Sequence, residues 1–312
     1  MLIFDTLAPI LLLIALGSAL AHLRFLGRDF IADLNKLVFW VTLPALIFVG
    51  VAQIGHAGGQ TAKLIAVLTT STMLMFVLGW IAGRMLKLSP SGVGTLAQAA
   101  FRGNLAYIGI PVLAYAFAAI SDAHIRSEEM ASALLVMTTM TAVFNVLAVL
   151  ALQGAQQKLG AASAALIARS LATNPLIIAC VAGLAFTFAG LKLPVFLSRT
   201  LETLGASAVP VALLSIGGSL ATITLKGRRA AIIVAAVLKV FAAPLLTWIL
   251  CKLAGIDGPD MRIALVLSAC PTAVASFVMA GKLSGDEALA SGSIALSTVL
   301  SAVSLALVLW LG

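Results

Sequence analysis

From Thr6 onward the chain is a succession of apolar runs, each about twenty residues long, joined by short segments that hold the Gly, Pro and charged residues expected of loops. At about 1.5 Å per residue such a run matches the hydrocarbon thickness of a bilayer. In lipid every backbone N–H and C=O has to be satisfied within the segment, so a run of this kind has to be a helix. Ten runs can be read: 6–23, 34–54, 62–85, 93–119, 131–153, 172–190, 200–221, 229–251, 260–281 and 288–311. Charged residues make up 10% of the chain and hydrophobic ones 62%. A soluble domain carries about 25% charged residues. Nearly every residue lies in or beside an apolar run, which leaves no space for a separate soluble domain. The expected fold is an all-α polytopic membrane protein with ten spans.

One run is interrupted. Arg102-Gly-Asn-Leu-Ala-Tyr-Ile-Gly-Ile-Pro111 lies inside the fourth span. Pro111 removes an intrahelical hydrogen bond and clashes with the preceding turn, while Gly103 and Gly109 loosen the backbone. Arg102 places a charge roughly halfway along the span, at a cost of about 3 kcal/mol or more. Broken backbone and buried charge persist in a membrane only where they face protein or a water-filled cavity. The stretch is therefore expected to line a binding site, with Pro111 at the break.

Proline positions divide the chain into two halves. Pro9 and Pro175 are 166 positions apart, and so are Pro44 and Pro210. A similar shift carries Pro111 to Ser276, inside Cys270-Pro-Thr-Ala-Val-Ala-Ser-Phe-Val-Met-Ala, so the fourth and ninth spans correspond and both are interrupted. Five spans per half is an odd number, so the second half has to lie inverted in the membrane. Inverted repeats with paired broken helices are the arrangement of secondary transporters, and the breaks point to the substrate site. The expected division is a first repeat over 1–155, a cytoplasmic linker over 156–170 and a second repeat over 171–312.

The net charge of +8 comes mostly from short loops, where it signals topology and not nucleic-acid binding. Odd-numbered loops hold eleven Lys and Arg residues, Lys158 and Lys226 among them, and even-numbered loops hold six, including Lys192. By the positive-inside rule both termini face out. The first run lacks the basic region of a signal peptide and is expected to be a span. Cys180, Cys251 and Cys270 form no CxxC pair, so neither a disulfide framework nor a metal site is indicated, and no cofactor is expected.

The stretches Leu34-Asn-Lys-Leu-Val-Phe-Trp-Val-Thr-Leu-Pro-Ala-Leu-Ile-Phe, Gly103-Asn-Leu-Ala-Tyr-Ile-Gly-Ile-Pro-Val-Leu and Val209-Pro-Val-Ala-Leu-Leu-Ser-Ile-Gly-Gly-Ser-Leu resemble the auxin efflux carrier family, and the ninth-span stretch is similar too. The family includes plant auxin exporters and bacterial permeases. The resemblance implies that spans four and nine cross at their breaks, as in bile-acid-type sodium symporters. It also implies a scaffold of spans 1, 2, 6 and 7, a mobile transport domain of spans 3–5 and 8–10, and a homodimer formed through the scaffold. The plant carriers have a proline where this chain has Ser276, and their long cytoplasmic loop is absent here. This is the pattern of a compact permease of the bacterial inner membrane.

At each break the following half-helix exposes unpaired N–H groups and the positive end of its dipole, which suits a carboxylate. Asn104, Tyr107 and the backbone from Gly109 to Pro111 are candidates on one side, and Pro271, Thr272 and Ser276 on the other. Arg102 is about 13 Å from Pro111 along an ideal helix; it can hold substrate, gate the approach, or snorkel to the interface. Lys239, about ten residues into the eighth span, is a candidate proton carrier, a counter-charge for an anion, or a tether to backbone carbonyls. Thr138, Thr139, Thr141 and Asn145 in span five, and Ser291, Ser293, Ser297, Thr298 and Ser301 in span ten, read as hydrogen-bond glue between helices, with Asn145 also a candidate for the cavity. The acidic residues lie in loops or near span ends, and His22, His56 and His124 read as loop residues, so the membrane core is basic and favours anions. The expected function is a transporter of a small organic anion. An anion channel or a carboxylate sensor is the alternative, and no nucleophile–base set or metal motif supports an intramembrane enzyme.

Overall fold

The computed structural model describes residues 2–52, 59–191, 193–222 and 228–311. His56, Lys192 and Lys226, used above to read the loops, lie outside them. The described chain is all helical, and its one β-type pairing is an isolated bridge. Helix α1 covers Leu2–His22. Helices α2 (Arg28–Leu37) and α3 (Leu43–Ala52) are joined through a π-helical turn, Val38–Thr42. Next come α4 (Gly59–Met85), α5 (Pro90–Phe101), a second π turn (Leu105–Gly109), α6 (Ile110–Phe117) and the 33-residue α7 (Ala123–Ala155). Helices α8 (Ala161–Ala172) and α9 (Pro175–Phe188) follow, then α10 (Val195–Ala206) and α11 (Ala208–Thr222). Helices α12 (Arg229–Val237) and α13 (Ala243–Ala254) flank a third π turn, Leu238–Ala242. The chain continues with α14 (Gly258–Ala269), α15 (Ala275–Lys282) and α16 (Glu287–Leu311).

Among the described residues, six helical segments are long and apolar enough to cross a membrane, and α8 with α9, bent by 56° at their junction, makes a seventh if the pair is one span. Shorter apolar helices cover Thr6–His22 and Leu105–Phe117. Many large apolar side chains are exposed, among them Leu12, Phe188, Val299 and Trp310. A surface facing lipid bears such residues without penalty. The segment 156–170, expected to be a linker, carries helix α8 from Ala161 onward. Its Ala-, Leu- and Ile-rich run has high helix propensity and no Gly or Pro after Gly160, but at 12 residues it is too short to span alone.

Each π turn ends two residues before a proline: Thr42 before Pro44, Gly109 before Pro111 and Ala242 before Pro244. Proline cannot donate to the carbonyl four residues back, and its ring presses against that carbonyl. The wider π turn moves the carbonyl aside and lets the helix continue. This corrects the expectation that Pro111 breaks the fourth span. Pro111 sits in the first turn of α6, and the chain breaks earlier, at Arg102–Asn104, between Phe101 and Leu105.

Two compact units emerge. The first comprises Met1–Thr61, Ala106–Thr139 and Ala172–Thr222. In it α1 packs on α11 and α3 on α9 at backbone distance. A Cβ at Gly17 would stand 2.1 Å from the Leu214 carbonyl oxygen, and one at Gly217 would stand 2.0 Å from that of Ile14. Gly183 likewise lies against the Phe48 carbonyl, where a Cβ would be 3.0 Å away. Small residues at membrane-helix crossings allow this approach.

The second unit comprises Ala62–Leu105, Met140–Leu171 and Ile223–Gly312. Its apolar centre joins Leu96 and Ala99 of α5, Ala231, Ile232 and Ala235 of α12, and Leu289 of α16. One face of α16 carries buried Ser293, Ser297, Ser301 and Ser304. Ser304 donates to the Val240 carbonyl, the group that Pro244 leaves without its helical donor.

Candidate functional site

Within the second unit, the two broken helices meet at a single point. Helix α5 ends at Phe101 with Arg102 as its C-cap, in extended conformation. Helix α14 ends at Ala269, and Cys270 is likewise non-helical. The freed strands pair antiparallel at Gly103 and Thr272. The Asn104 N–H donates to the Pro271 carbonyl at 2.8 Å, and the Ala273 N–H to the Arg102 carbonyl at 2.9 Å. The bridge satisfies backbone groups that neither half-helix could satisfy alone, as a low-dielectric setting demands. Thr272 is fully buried and ties the crossing to its neighbours. Its hydroxyl donates to the Ala99 carbonyl near the end of α5 at 2.9 Å, and its N–H to Ser297 Oγ of α16 at 3.0 Å.

Arg102 therefore begins the break and does not lie a long way from it. It is 7% exposed. Its Nη2 donates to Asn145 Oδ1 at 2.8 Å and its Nη1 to the Phe144 carbonyl at 3.4 Å, both on α7, and Nη1 also meets Met279 Sδ at 3.0 Å. All of these acceptors are neutral. Asn145, read from sequence as glue or cavity lining, thus holds the guanidinium. Of the residues read as glue, Ser297 accepts from the Thr272 N–H, while Thr138 and Thr139 donate to carbonyls of their own helix; Ser304, outside that reading, bonds across to Val240.

Lys239, in the third π turn, is 2% exposed. Its Nζ donates to the Ser268 carbonyl at 2.5 Å. A Cβ at Gly103 would stand 3.3 Å from Lys239 Cε, so glycine there leaves room for the lysine stem. Beside the lysine is a small cavity of about 20 Å³, about one water in size. It is lined by Ser71, Thr72, Lys239 and Ser268 with apolar neighbours including Met75, Phe101, Leu105, Met140 and Phe144.

Among the described residues, Arg102 and Lys239 are the buried charged side chains, and no Asp or Glu is buried. No group of three His, Cys, Asp or Glu among them could hold a metal ion. Ser276, in the first turn of α15, is 1% exposed and its hydroxyl has no hydrogen-bond partner. Gln98, on α5 one turn before Arg102, is fully buried with neither amide atom bonded. Sequence reading passed over Gln98; a glutamine inside an otherwise apolar helix was the available signal. The remaining candidates, Tyr107, Gly109 and Pro111, fall in the first unit. There the Tyr107 hydroxyl donates to the Asn35 carbonyl at 3.1 Å, and Gly109 immediately precedes α6. Arg102, Asn104, Asn145, Lys239, Pro271, Thr272 and Ser276 all lie in the second unit.

Interrupted helices and buried charge in a multi-pass helical membrane protein are features of membrane transporters. The chain is a member of the membrane transport protein family, whose pattern it matches over residues 2–309, and this is the auxin efflux carrier family that its motifs resemble. It is 29% identical to a protein of Rhizobium meliloti named "Putative malonate transporter", over 97% of this chain and 93% of that one. It is also 24% identical to an uncharacterized transporter of Methanocaldococcus jannaschii, over 100% of this chain and 99% of that one. A further uncharacterized transporter, from Methanothermobacter thermautotrophicus, is 27% identical over 97% and 96% of the two chains.

Proposed function

We propose that this transporter moves a small organic anion across the bacterial inner membrane by alternating access. The substrate is an auxin-like monocarboxylate or a malonate- or malate-type dicarboxylate. The observation that carries the reading is the burial of Arg102 and Lys239 beside the Gly103–Thr272 crossing, with no buried carboxylate among the described residues to balance them. A buried charge without a counter-charge is costly, and an incoming carboxylate supplies one. Arg102 offers a planar fork suited to a carboxylate, and the unpartnered Ser276 hydroxyl offers a further donor. The name of the Rhizobium relative favours dicarboxylates. The membrane potential favours export of an anion by about 2.3 kcal/mol per charge per 100 mV.

The ten-span inverted repeat, with both termini outside, belongs to the same proposal. The glycine crossings of the first unit support it. Gly17 lies against Leu214 and Gly183 against Phe48, and each partner in one pair is 166 positions from its counterpart in the other, the same separation as the prolines. One compact unit gathers α1–α3 and α9–α11, as a scaffold of spans 1, 2, 6 and 7 would, and it also takes in α6 and the first half of α7, which the resemblance assigns to the transport domain.

Counterflow in proteoliposomes tests the proposal. Uptake of labelled malonate or indole-3-acetate is expected to saturate, and to accelerate when the same unlabelled anion is loaded inside. A flux that rises linearly with concentration and ignores the internal anion would identify a channel.

A further inference from the structure

The Ser268 carbonyl belongs to the last turn of α14, whose final four carbonyls lack intrahelical donors and form the negative end of the helix dipole. In secondary transporters, half-helix ends of this kind coordinate the inorganic cation. Here the Lys239 ammonium holds that position. The surroundings also resemble those of a dehydrated monovalent cation. Ser71, Thr72 and Ser268 line the adjoining water-sized cavity. Ser71 Oγ pairs with Thr247 Oγ1 at 2.8 Å and Ser268 Oγ donates to the Leu265 carbonyl at 3.0 Å, so each hydroxyl keeps lone-pair capacity.

We propose that Lys239 is a resident counter-cation: its ammonium stands where a sodium or potassium ion would otherwise bind, and the protein needs no such ion. Shortening Lys239 opens a site for one, built from the Ser268 carbonyl and the hydroxyls of Ser71 and Thr72. The consequence for coupling rests on the transporter reading above. The binding itself does not, and it is read without any transport assay.

The experiment is thermal unfolding of the purified full chain in detergent, with NaCl or KCl titrated against choline chloride at constant ionic strength. The wild type is expected to melt at one temperature in all three salts. Lys239→Ala is expected to melt several degrees lower in choline, and to recover in a saturable manner with sodium or potassium. Lys239→Gln fills the space without a charge, and is expected to be less stable than wild type and indifferent to the cation. A saturable response of the wild type to either ion would overturn the proposal. So would a Lys239→Ala protein that ignores both ions or fails to fold even in their presence, or a Lys239→Gln protein as stable as wild type. A protein that transports no carboxylate but shows the expected salt pattern would leave this inference standing and remove only the transport reading.

Discussion

The Arg102 guanidinium is held by the side-chain oxygen of Asn145, 2.8 Å away, and by no carboxylate. A permanent positive charge is thus fixed at the crossing of two broken helices by neutral acceptors alone. The arrangement keeps the charge oriented and leaves it electrostatically unbalanced, which suits a site that takes up an anion and releases it.

Removing either member of this pair separates binding from folding. Arg102→Gln keeps polar contact with Asn145 and loses the charge; the expected result is an intact fold with carboxylate affinity reduced tenfold or more, a loss of about 1.4 kcal/mol. Asn145→Ala leaves the buried guanidinium short of its principal acceptor and is expected to cost about 3 kcal/mol of stability. Melting curves with and without ligand report both effects.

Asn104 behaves differently because its contribution to the crossing comes from its backbone. The N–H that donates to Pro271 survives in Asn104→Ala. Without ligand, Asn104→Ala is expected to fold and to melt close to wild type, while ligand-induced stabilisation disappears. An equal loss of both would assign the side chain to packing.

Ser304 and Pro244 form a thermodynamic cycle. Ser304→Ala strands the buried Val240 carbonyl and is expected to cost about 1–3 kcal/mol. In a Pro244→Ala background the restored N–H can serve that carbonyl, so the same change is expected to cost less. Equal costs in the two backgrounds would show that the proline and the serine are independent.

The glycine crossings are expected to rank by clearance. Gly17→Ala and Gly217→Ala drive a Cβ to about 2 Å from a backbone carbonyl and are expected to destabilise by at least about 1–3 kcal/mol. Gly183→Ala, with its nearest atom at 3.0 Å, is expected to be milder. Gly27→Ala, with nothing within 4 Å, should be close to neutral. Thermal unfolding in detergent checks the order.

The helical membrane architecture was legible because apolar run length is a local property. The neighbourhood of the interruption was legible too, since Arg102, Gly103 and Pro111 lie within ten positions of one another. Its centre was not. Proline looked like the breaker, but a π turn absorbs Pro111 and moves the break to Gly103. A π turn is a backbone response that residue identity alone does not announce. Long-range pairings were equally hidden. Lys239 reaches Ser268, and Ser304 reaches Val240, across 29 and 64 positions. The sequence left Lys239 open between proton carrier, counter-charge and tether, and only the geometry shows which carbonyl it holds.

The most direct test of the central claim is ligand-dependent thermal stabilisation of the purified wild type and of Arg102→Gln, titrated with malonate, malate and indole-3-acetate. One carboxylate class is expected to raise the wild-type melting temperature in a concentration-dependent, saturable way, and Arg102→Gln is expected to lose the response while remaining folded. Stabilisation by amines or neutral solutes, with no response to any carboxylate, would contradict it.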